Sequence, residues 1–99
     1  MPKNKSSDYL DSLKSLFAIV TRLRDPAYGC PWDLNQTNKS LIPFLIEEAY
    51  EVANAIRNKD DKNLKEELGD LLFQILLHAE IAQERKRFYF HEIIEDLSN

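Results

Sequence analysis

The stretch that decides the fold runs from Leu41 to Ala82 and contains two segments, LIPFLIEEAYEVANAIRN (residues 41–58) and LKEELGDLLFQILLHAEIA (residues 64–82). In both segments, apolar residues recur at the period of an α-helix. Each segment also places two acidic residues on or beside its apolar stripe. The sequence therefore predicts two helices that face each other and turn carboxylates toward the interior.

The first of these helices is predicted to bury one apolar stripe. Glu48 falls at the centre of that stripe, and Glu51 lies on its edge. In the second helix, Glu67 lies beside one apolar face and Asp70 lies on another. Carboxylates are almost never fully buried unless they are paired or bound to a metal, so we expect these four to share a partner. The stripe of the first helix consists of Leu41, Phe44, Leu45, Val52, Ala55 and Ile56.

A cluster of four carboxylates would be unfavourable without a cation. Two unit charges about 4 Å apart repel by roughly 4 kcal/mol at an effective dielectric constant of about 20. A divalent cation removes this repulsion, and ligands that are all oxygens favour Mg²⁺ or Mn²⁺ over zinc. We therefore predict a Mg²⁺ site, with Mn²⁺ as an alternative, formed by Glu48, Glu51, Glu67 and Asp70.

The acidic pattern resembles that of a known family. EEAYE (residues 47–51) and ELGD (residues 67–70) are similar to the E-E-x-x-E and E-x-x-D signature of the MazG-like nucleotide pyrophosphohydrolases, within the all-α NTP pyrophosphatase superfamily. The resemblance extends through RLRDPAYGCPWDLNQT (residues 22–37) and LLFQILLHAEIAQE (residues 71–84). It implies Mg²⁺-dependent hydrolysis of a nucleoside triphosphate to its monophosphate and pyrophosphate, with a family role in removing non-canonical nucleotides.

Candidate roles follow for residues around the acidic signature. Glu47 and Glu48 are candidate catalytic residues, because a carboxylate beside a bound metal can orient a water or accept its proton; Glu47 can instead orient a metal ligand or be a surface charge. Trp32 can stack on a base, or it can anchor its loop by packing, which is the commoner role of a buried aromatic residue. Arg22 and Arg24 can contact phosphates or be surface charges.

Length and composition limit the other possibilities. The 99 residues predict a single domain over residues 1–99, with residues 1–6 as a flexible tail. The formal net charge of −4 argues against nucleic-acid binding through phosphate neutralisation. Cys30 is the only cysteine, the first residues lack the apolar segment of a secretory signal, and no apolar run is long enough for a membrane span. We expect a cytoplasmic protein without a membrane partner.

The remaining pattern predicts an all-α fold of three main helices and a short C-terminal helix. Proline and capping residues set the expected ends. The predicted boundaries are Ser6 or Ser7 to Asp25 for the first helix, the cap Ser40 to Asn58 for the second, Asp60 or Asp61 to Arg85 or Lys86 for the third, and the stripe Phe90, Ile93, Ile94 and Leu97 for the short helix, with an ordered loop over 26–40.

The third main helix also predicts the assembly. From Leu71 onward it is apolar on nearly every side, and such a helix must be covered all round. At 1.5 Å per residue it reaches about 37 Å, which is more than its companions from the same chain can cover. We therefore expect a four-helix-bundle-type core completed by a homodimer. Whether two dimers pair further stays open.

Of two alternatives to the pyrophosphohydrolase hypothesis, the sequence excludes the first and leaves the second open. A di-iron carboxylate bundle requires E-x-x-H motifs, but Ile75 precedes His78 by three residues and Phe88 precedes His91. His78 is accordingly interpreted as a packing or interface residue. The other alternative is a catalytically silent helical dimerisation or regulatory module that retains the metal site. The inward-facing carboxylates favour the enzyme, because an interaction module has no need of them.

Overall fold

The computed structural model describes residues 5–99, and side chains from residue 8 onward. Within this range the chain is helical without strands, which confirms the predicted all-α class. It forms two compact units, the first ending at Asn35 and the second comprising residues 36–99. The helices are α1 (Lys5–Leu23), α2 (Pro31–Leu34), α3 (Ile42–Arg57), α4 (Asp61–Glu84) and α5 (Phe90–Ser98).

None of the helices over residues 5–99 combines the length and the apolar character that crossing a membrane requires.

The first unit consists of α1 and a tight loop that leads into α2. α1 already includes Lys5 and Ser6 and ends at Leu23, slightly before the predicted end at Asp25. Most of the tail predicted for residues 1–6 lies outside the described residues. After α1, the Asp25 carboxylate accepts hydrogen bonds from the backbone N–H groups of Tyr28 and Ala27. These two bonds lower the pKa of Asp25 below its ordinary value.

Gly29 is required where this loop turns back on the end of α1. A Cβ at this position would overlap backbone atoms of Leu23 and Asp25, so no side chain fits. The predicted loop over residues 26–40 then contains one turn of helix, α2, because Pro31 supplies the fixed φ favoured at a helix start. The Arg24 guanidinium donates a hydrogen bond to the backbone carbonyl of Asp33 in α2.

The second unit is built on the pairing of α3 with α4. The predicted stripe of α3 is only partly buried: Leu41 and Ala55 are buried, whereas Phe44 and Ile56 are 41% and 59% exposed. The prediction was wrong for these two residues, because α4 covers a narrower stripe of α3 than the periodicity alone defines. The buried residues of α4 are Leu76, Leu77, Ala79, Ile81 and Ala82.

Ser40 does not cap α3, contrary to the prediction. The N-cap position belongs to Leu41. The Ser40 hydroxyl instead accepts the backbone N–H of Thr37 at 2.8 Å and donates to Gln36 Oε1 at 2.7 Å. The serine therefore closes the turn that precedes the helix. Asp60, by contrast, caps α4 as predicted, since its carboxylate accepts the backbone N–H of Asn63.

Both long helices of this unit end in the same way. Lys59 after α3 and Lys86 after α4 adopt positive φ values of 53° and 57°. Around Lys59, the backbone N–H of Asp60 donates to the carbonyl of Ala55, and the backbone N–H of Lys59 donates to the carbonyl of Ile56. This pattern is the Schellman motif, whose left-handed residue is usually glycine. A lysine there carries a steric cost that glycine avoids.

Replacing Lys59 with glycine should therefore stabilise the protein. The left-handed conformation disfavours a Cβ by about 1–2 kcal/mol, and the greater chain entropy of glycine offsets about half of that. We expect the free energy of unfolding of Lys59→Gly to rise by roughly 0.5–1 kcal/mol, measured by urea denaturation. The matched control is Lys65→Gly in the interior of α4, which should lower the free energy of unfolding by about 1 kcal/mol. Destabilisation by both changes would contradict this account of the turn.

Candidate metal centre

The acidic residues of α3 and α4 meet on the facing sides of the two helices. Glu48, Glu67 and Asp70 each offer one carboxylate oxygen, and these oxygens all lie within 4.8 Å of one another. Glu48 and Glu67 are half-buried, whereas Asp70 is exposed. The spacing of three residues between Glu67 and Asp70 places both on one side of α4. The pairing of the helices then brings them to Glu48.

The close approach of these carboxylates, together with burial, changes the pKa of Glu48. Its pKa is raised from the ordinary value of 4.5 to about 7. Burial of the carboxyl group is the largest cause, followed by a hydrogen bond shared with Glu67 and by the charges of Glu67, Asp70 and Glu51. Glu48 Oε2 is also buried and has no hydrogen-bond partner among the described residues. The cluster therefore retains a proton near neutral pH in place of a positive partner.

The other two acidic candidates on α3 lie at the margin of this cluster. Glu51, one turn after Glu48, is half-buried, and its charge contributes least to the raised pKa of Glu48. It is outside the group of three whose oxygens meet. Glu47 is exposed.

The donor set suits a hard divalent cation. Carboxylate oxygens are the ligands that Mg²⁺ prefers, and a cation would meet the buried Oε2 of Glu48, which has no hydrogen-bond partner in the described part of the chain. Its charge would also favour the ionised form of Glu48, whose pKa burial and the neighbouring carboxylates raise. The residues present thus fit Mg²⁺ or Mn²⁺.

The predicted substrate-contacting residues belong to the first unit. Arg22 is exposed near the end of α1. Arg24 is half-buried, and its guanidinium donates a hydrogen bond to the backbone carbonyl of Asp33. Trp32 on α2 is 49% exposed. The carboxylates belong to the second unit.

Gln74 and His78 continue the polar face of α4 beyond the carboxylates, whereas the sequence pattern indicated a packing or interface role for His78. Gln74 Oε1 and His78 Nε2 are buried and have no hydrogen-bond partner within the described residues. Together with Glu67 and Asp70 they recur at intervals of three or four residues, which place them on one helical face. That spacing was visible in the sequence, but only the structure shows that the polar atoms are covered.

The second unit coincides with a known domain. The family model of the MazG nucleotide pyrophosphohydrolase domain matches residues 36–99, the same residues as this unit. The chain therefore belongs to the MazG family, as the acidic signature indicated.

Individual relatives support the same assignment. The chain is 46% identical over 90 residues to the nucleoside triphosphate pyrophosphohydrolase of Escherichia coli K12, covering 91% of this chain and 34% of that protein. It is 48% identical over 85 residues to the nucleoside triphosphate pyrophosphohydrolase/pyrophosphatase MazG of Thermotoga maritima, covering 86% and 33%. The nucleoside triphosphate pyrophosphohydrolase of Mycobacterium tuberculosis is 38% identical over 89 residues, covering 90% of this chain and 26% of that protein. The chain thus spans about a third or less of the length of each of these relatives.

The electrostatics of the cluster predict how pH changes stability in the absence of metal. Because folding raises the pKa of Glu48 from 4.5 to about 7, its stabilising contribution is complete below pH 4.5 and is lost as the pH rises through 7. We expect Glu48→Gln, which cannot ionise, to lose less free energy of unfolding than the wild type between pH 5 and pH 8. The measurement is urea denaturation in the presence of a chelator.

Metal addition provides the complementary half of this test. At pH 7.5, Mn²⁺ at 100 times its Kd should stabilise the wild type by about 2.7 kcal/mol and Glu48→Gln by much less. Glu66→Gln, on the exposed side of α4, is the matched control and should respond like the wild type. Equal stabilisation of all three proteins would rule out the cluster as the metal site.

Proposed function

We propose that this chain is a Mg²⁺-dependent pyrophosphohydrolase domain that converts nucleoside triphosphates into monophosphates and pyrophosphate. The observation that carries the proposal is the convergence of Glu48, Glu67 and Asp70 between α3 and α4. The names of the Escherichia coli and Thermotoga maritima relatives support the reaction class. Non-canonical nucleotides are the proposed substrates in a cytoplasmic setting.

The metal ligands in this proposal are Glu48, Glu51, Glu67 and Asp70, with Mg²⁺ as the cation and Mn²⁺ as its substitute. Glu51 is included because it is half-buried one turn from Glu48 and senses the charge of the cluster. When bound, the cation would neutralise the triphosphate, polarise the scissile phosphorus–oxygen bond and lower the pKa of a bound water. Mg²⁺ usually binds through few carboxylates and substrate phosphates, so its affinity should rise when nucleotide is present.

The carboxylates also supply the proton acceptor for hydrolysis. Glu47 or Glu48 would orient a water and take its proton as the water oxygen forms a bond to the α-phosphorus. The bond between the α-phosphorus and the bridging oxygen breaks, and pyrophosphate leaves with that oxygen. Glu48 lies within the cluster, whereas Glu47 faces solvent beside it. The proposed contacts to the rest of the nucleotide are Trp32 for the base and Arg22 and Arg24 for the phosphates.

The proposal includes a homodimer formed through α4. Leu68, Leu72 and Ile75 recur along one side of this helix and are 48%, 38% and 39% exposed. Their spacing forms a continuous apolar stripe that the described chain leaves open to solvent. A second copy would cover it and complete a four-helix core. Such a stripe is the expected signature of an interface.

Hydrolysis in ¹⁸O-labelled water tests the reaction. Attack at the α-phosphorus places the label in the nucleoside monophosphate, and mass spectrometry of both products locates it. Asp70→Asn should reduce kcat/KM on the order of 100-fold, because a charged group that stabilises the transition state is lost. Glu66→Gln should leave turnover unchanged.

Two outcomes would refute this reaction. Release of orthophosphate with nucleoside diphosphate would place the attack elsewhere on the triphosphate. No turnover of any triphosphate with either cation would instead favour the silent module that retains the metal site.

The dimer is tested by placing a charge on the apolar stripe. Leu72→Glu should shift the protein from dimer to monomer at micromolar concentration, because burying an unpaired carboxylate in an interface is strongly unfavourable. Light scattering gives the mass. Glu66→Lys, at an exposed position about 120° or more around the helix from all three stripe residues, is the control and should remain dimeric. A monomeric wild type would disprove the interface.

A further inference from the structure

α4 carries two polar side chains beyond the carboxylate cluster. Gln74 follows Asp70 by one turn, and His78 follows Gln74 by another. The side-chain oxygen of Gln74, Oε1, and the ring nitrogen Nε2 of His78 are both buried and have no hydrogen-bond partner within the described residues. Buried polar groups in native proteins are nearly always satisfied, so these two atoms point to a ligand.

Asn38 determines which nitrogen of His78 carries the proton. The Asn38 side-chain oxygen accepts a hydrogen bond from the Arg87 guanidinium, which can only donate. Its amide nitrogen therefore faces His78, where it also donates to the backbone carbonyl at 3.2 Å. The contact of 2.8 Å between this nitrogen and His78 Nδ1 then makes Nδ1 the acceptor.

The consequence is a defined hydrogen-bond donor at His78 Nε2. Burial lowers the pKa of His78 below its ordinary value, so the ring is neutral near pH 7 and its single proton lies on Nε2. A protonated Nε2 cannot bind a metal, so His78 does not extend the metal centre. It presents an N–H one helical turn beyond Gln74.

We propose that Gln74 and His78 recognise the nucleobase of the substrate, an inference that rests on the proposed function. Side chains of an α-helix lean toward its N-terminus, so Gln74 leans toward the turn of Asp70 and His78 toward the turn of Gln74. The positions of Asp70 and His78 are about 12 Å apart along the helix axis. A nucleotide whose phosphates lie at the carboxylates can extend its base along this distance.

The chemistry of the pair suits the edge of a base. Base edges present adjacent hydrogen-bond donors and acceptors, and a carboxamide can pair with two of them at once. His78 Nε2–H adds one donor of fixed position, because Asn38 holds the ring. Gln74 has several side-chain torsions, so its amide can turn toward a ligand while the helix stays in place. Shielding from water strengthens such contacts and makes a mismatch costly.

The direct test observes the imidazole of His78 by ¹⁵N NMR of the full chain. With Mg²⁺ present, a nucleoside triphosphate should shift the Nε2 resonance, whereas inorganic tripolyphosphate, which has no base, should not. His91, exposed on α5 and bonded to Glu95, provides an internal control and should not shift with either compound. A Nε2 resonance unchanged by all four common ribonucleoside triphosphates, under conditions where they bind, would overturn the proposal and leave an internal water as the partner of the pair.

Substitution gives an independent kinetic test. Gln74→Leu should lower kcat/KM for the preferred nucleotide by on the order of 10-fold or more and should reduce the discrimination between bases. Gln83→Leu, at an exposed position later in α4, is the matched control and should change neither. Metal-induced stabilisation should persist in Gln74→Leu, which separates loss of base recognition from loss of the metal site.

The two proposals fail in distinguishable ways. If the wild type has no turnover but a base-dependent shift of His78 is seen, the reaction is wrong and base recognition stands. If turnover is present and Gln74→Leu retains wild-type kcat/KM for every base, base recognition is wrong and the reaction stands. His78→Asn, which keeps a polar side chain, serves as the second variant if Gln74→Leu fails to fold.

Discussion

The repulsion among Glu48, Glu67 and Asp70 is the constraint on which the second unit depends. Their oxygens lie within 4.8 Å of one another, and burial, followed by the neighbouring carboxylates, raises the pKa of Glu48 to about 7. A pair of helices evolved only for stability would place apolar residues here, because replacing buried charges with apolar groups is often stabilising. The fold therefore retains an unfavourable clustering of carboxylates at the position where we propose that a cation and a triphosphate bind.

The turn between α3 and α4 determines which residues meet in this cluster. Lys59 lies midway between Glu48 and Asp70 in the sequence, so a hairpin centred on Lys59 places those two positions opposite each other. Two features fix the position of this turn at Lys59. They are the Schellman motif at the end of α3 and the cap of α4 by Asp60. A turn longer or shorter by one residue would rotate one helix by about 100° and separate the carboxylates. The polar turn is therefore as important to the site as its ligands.

The sequence predicted the helices of this unit well, because their signals are local. Periodicity gave α3 and α4, and the cap of α4 followed from the side chain of Asp60. The convergence of Glu48 with Asp70 could also be anticipated, since both lie on inward faces. Burial was predicted less well: Phe44 and Ile56 are exposed, because the width of a buried stripe depends on the neighbouring helix. The predicted capping of α3 by Ser40 was also wrong, because its hydroxyl bonds to residues of the preceding turn.

Contacts within the single chain do not explain the glycine at position 69, in the interior of α4. Glycine inside a helix costs about 1 kcal/mol relative to alanine, and a Cβ at Gly69 would meet no atom within 4 Å. Packing within the described residues therefore does not require this glycine. It lies next to Asp70 and immediately after Leu68, the first residue of the exposed apolar stripe. A close approach to the helix backbone by something outside the chain would explain it, and both the proposed second copy and the phosphates of a bound nucleotide would approach α4 at this turn.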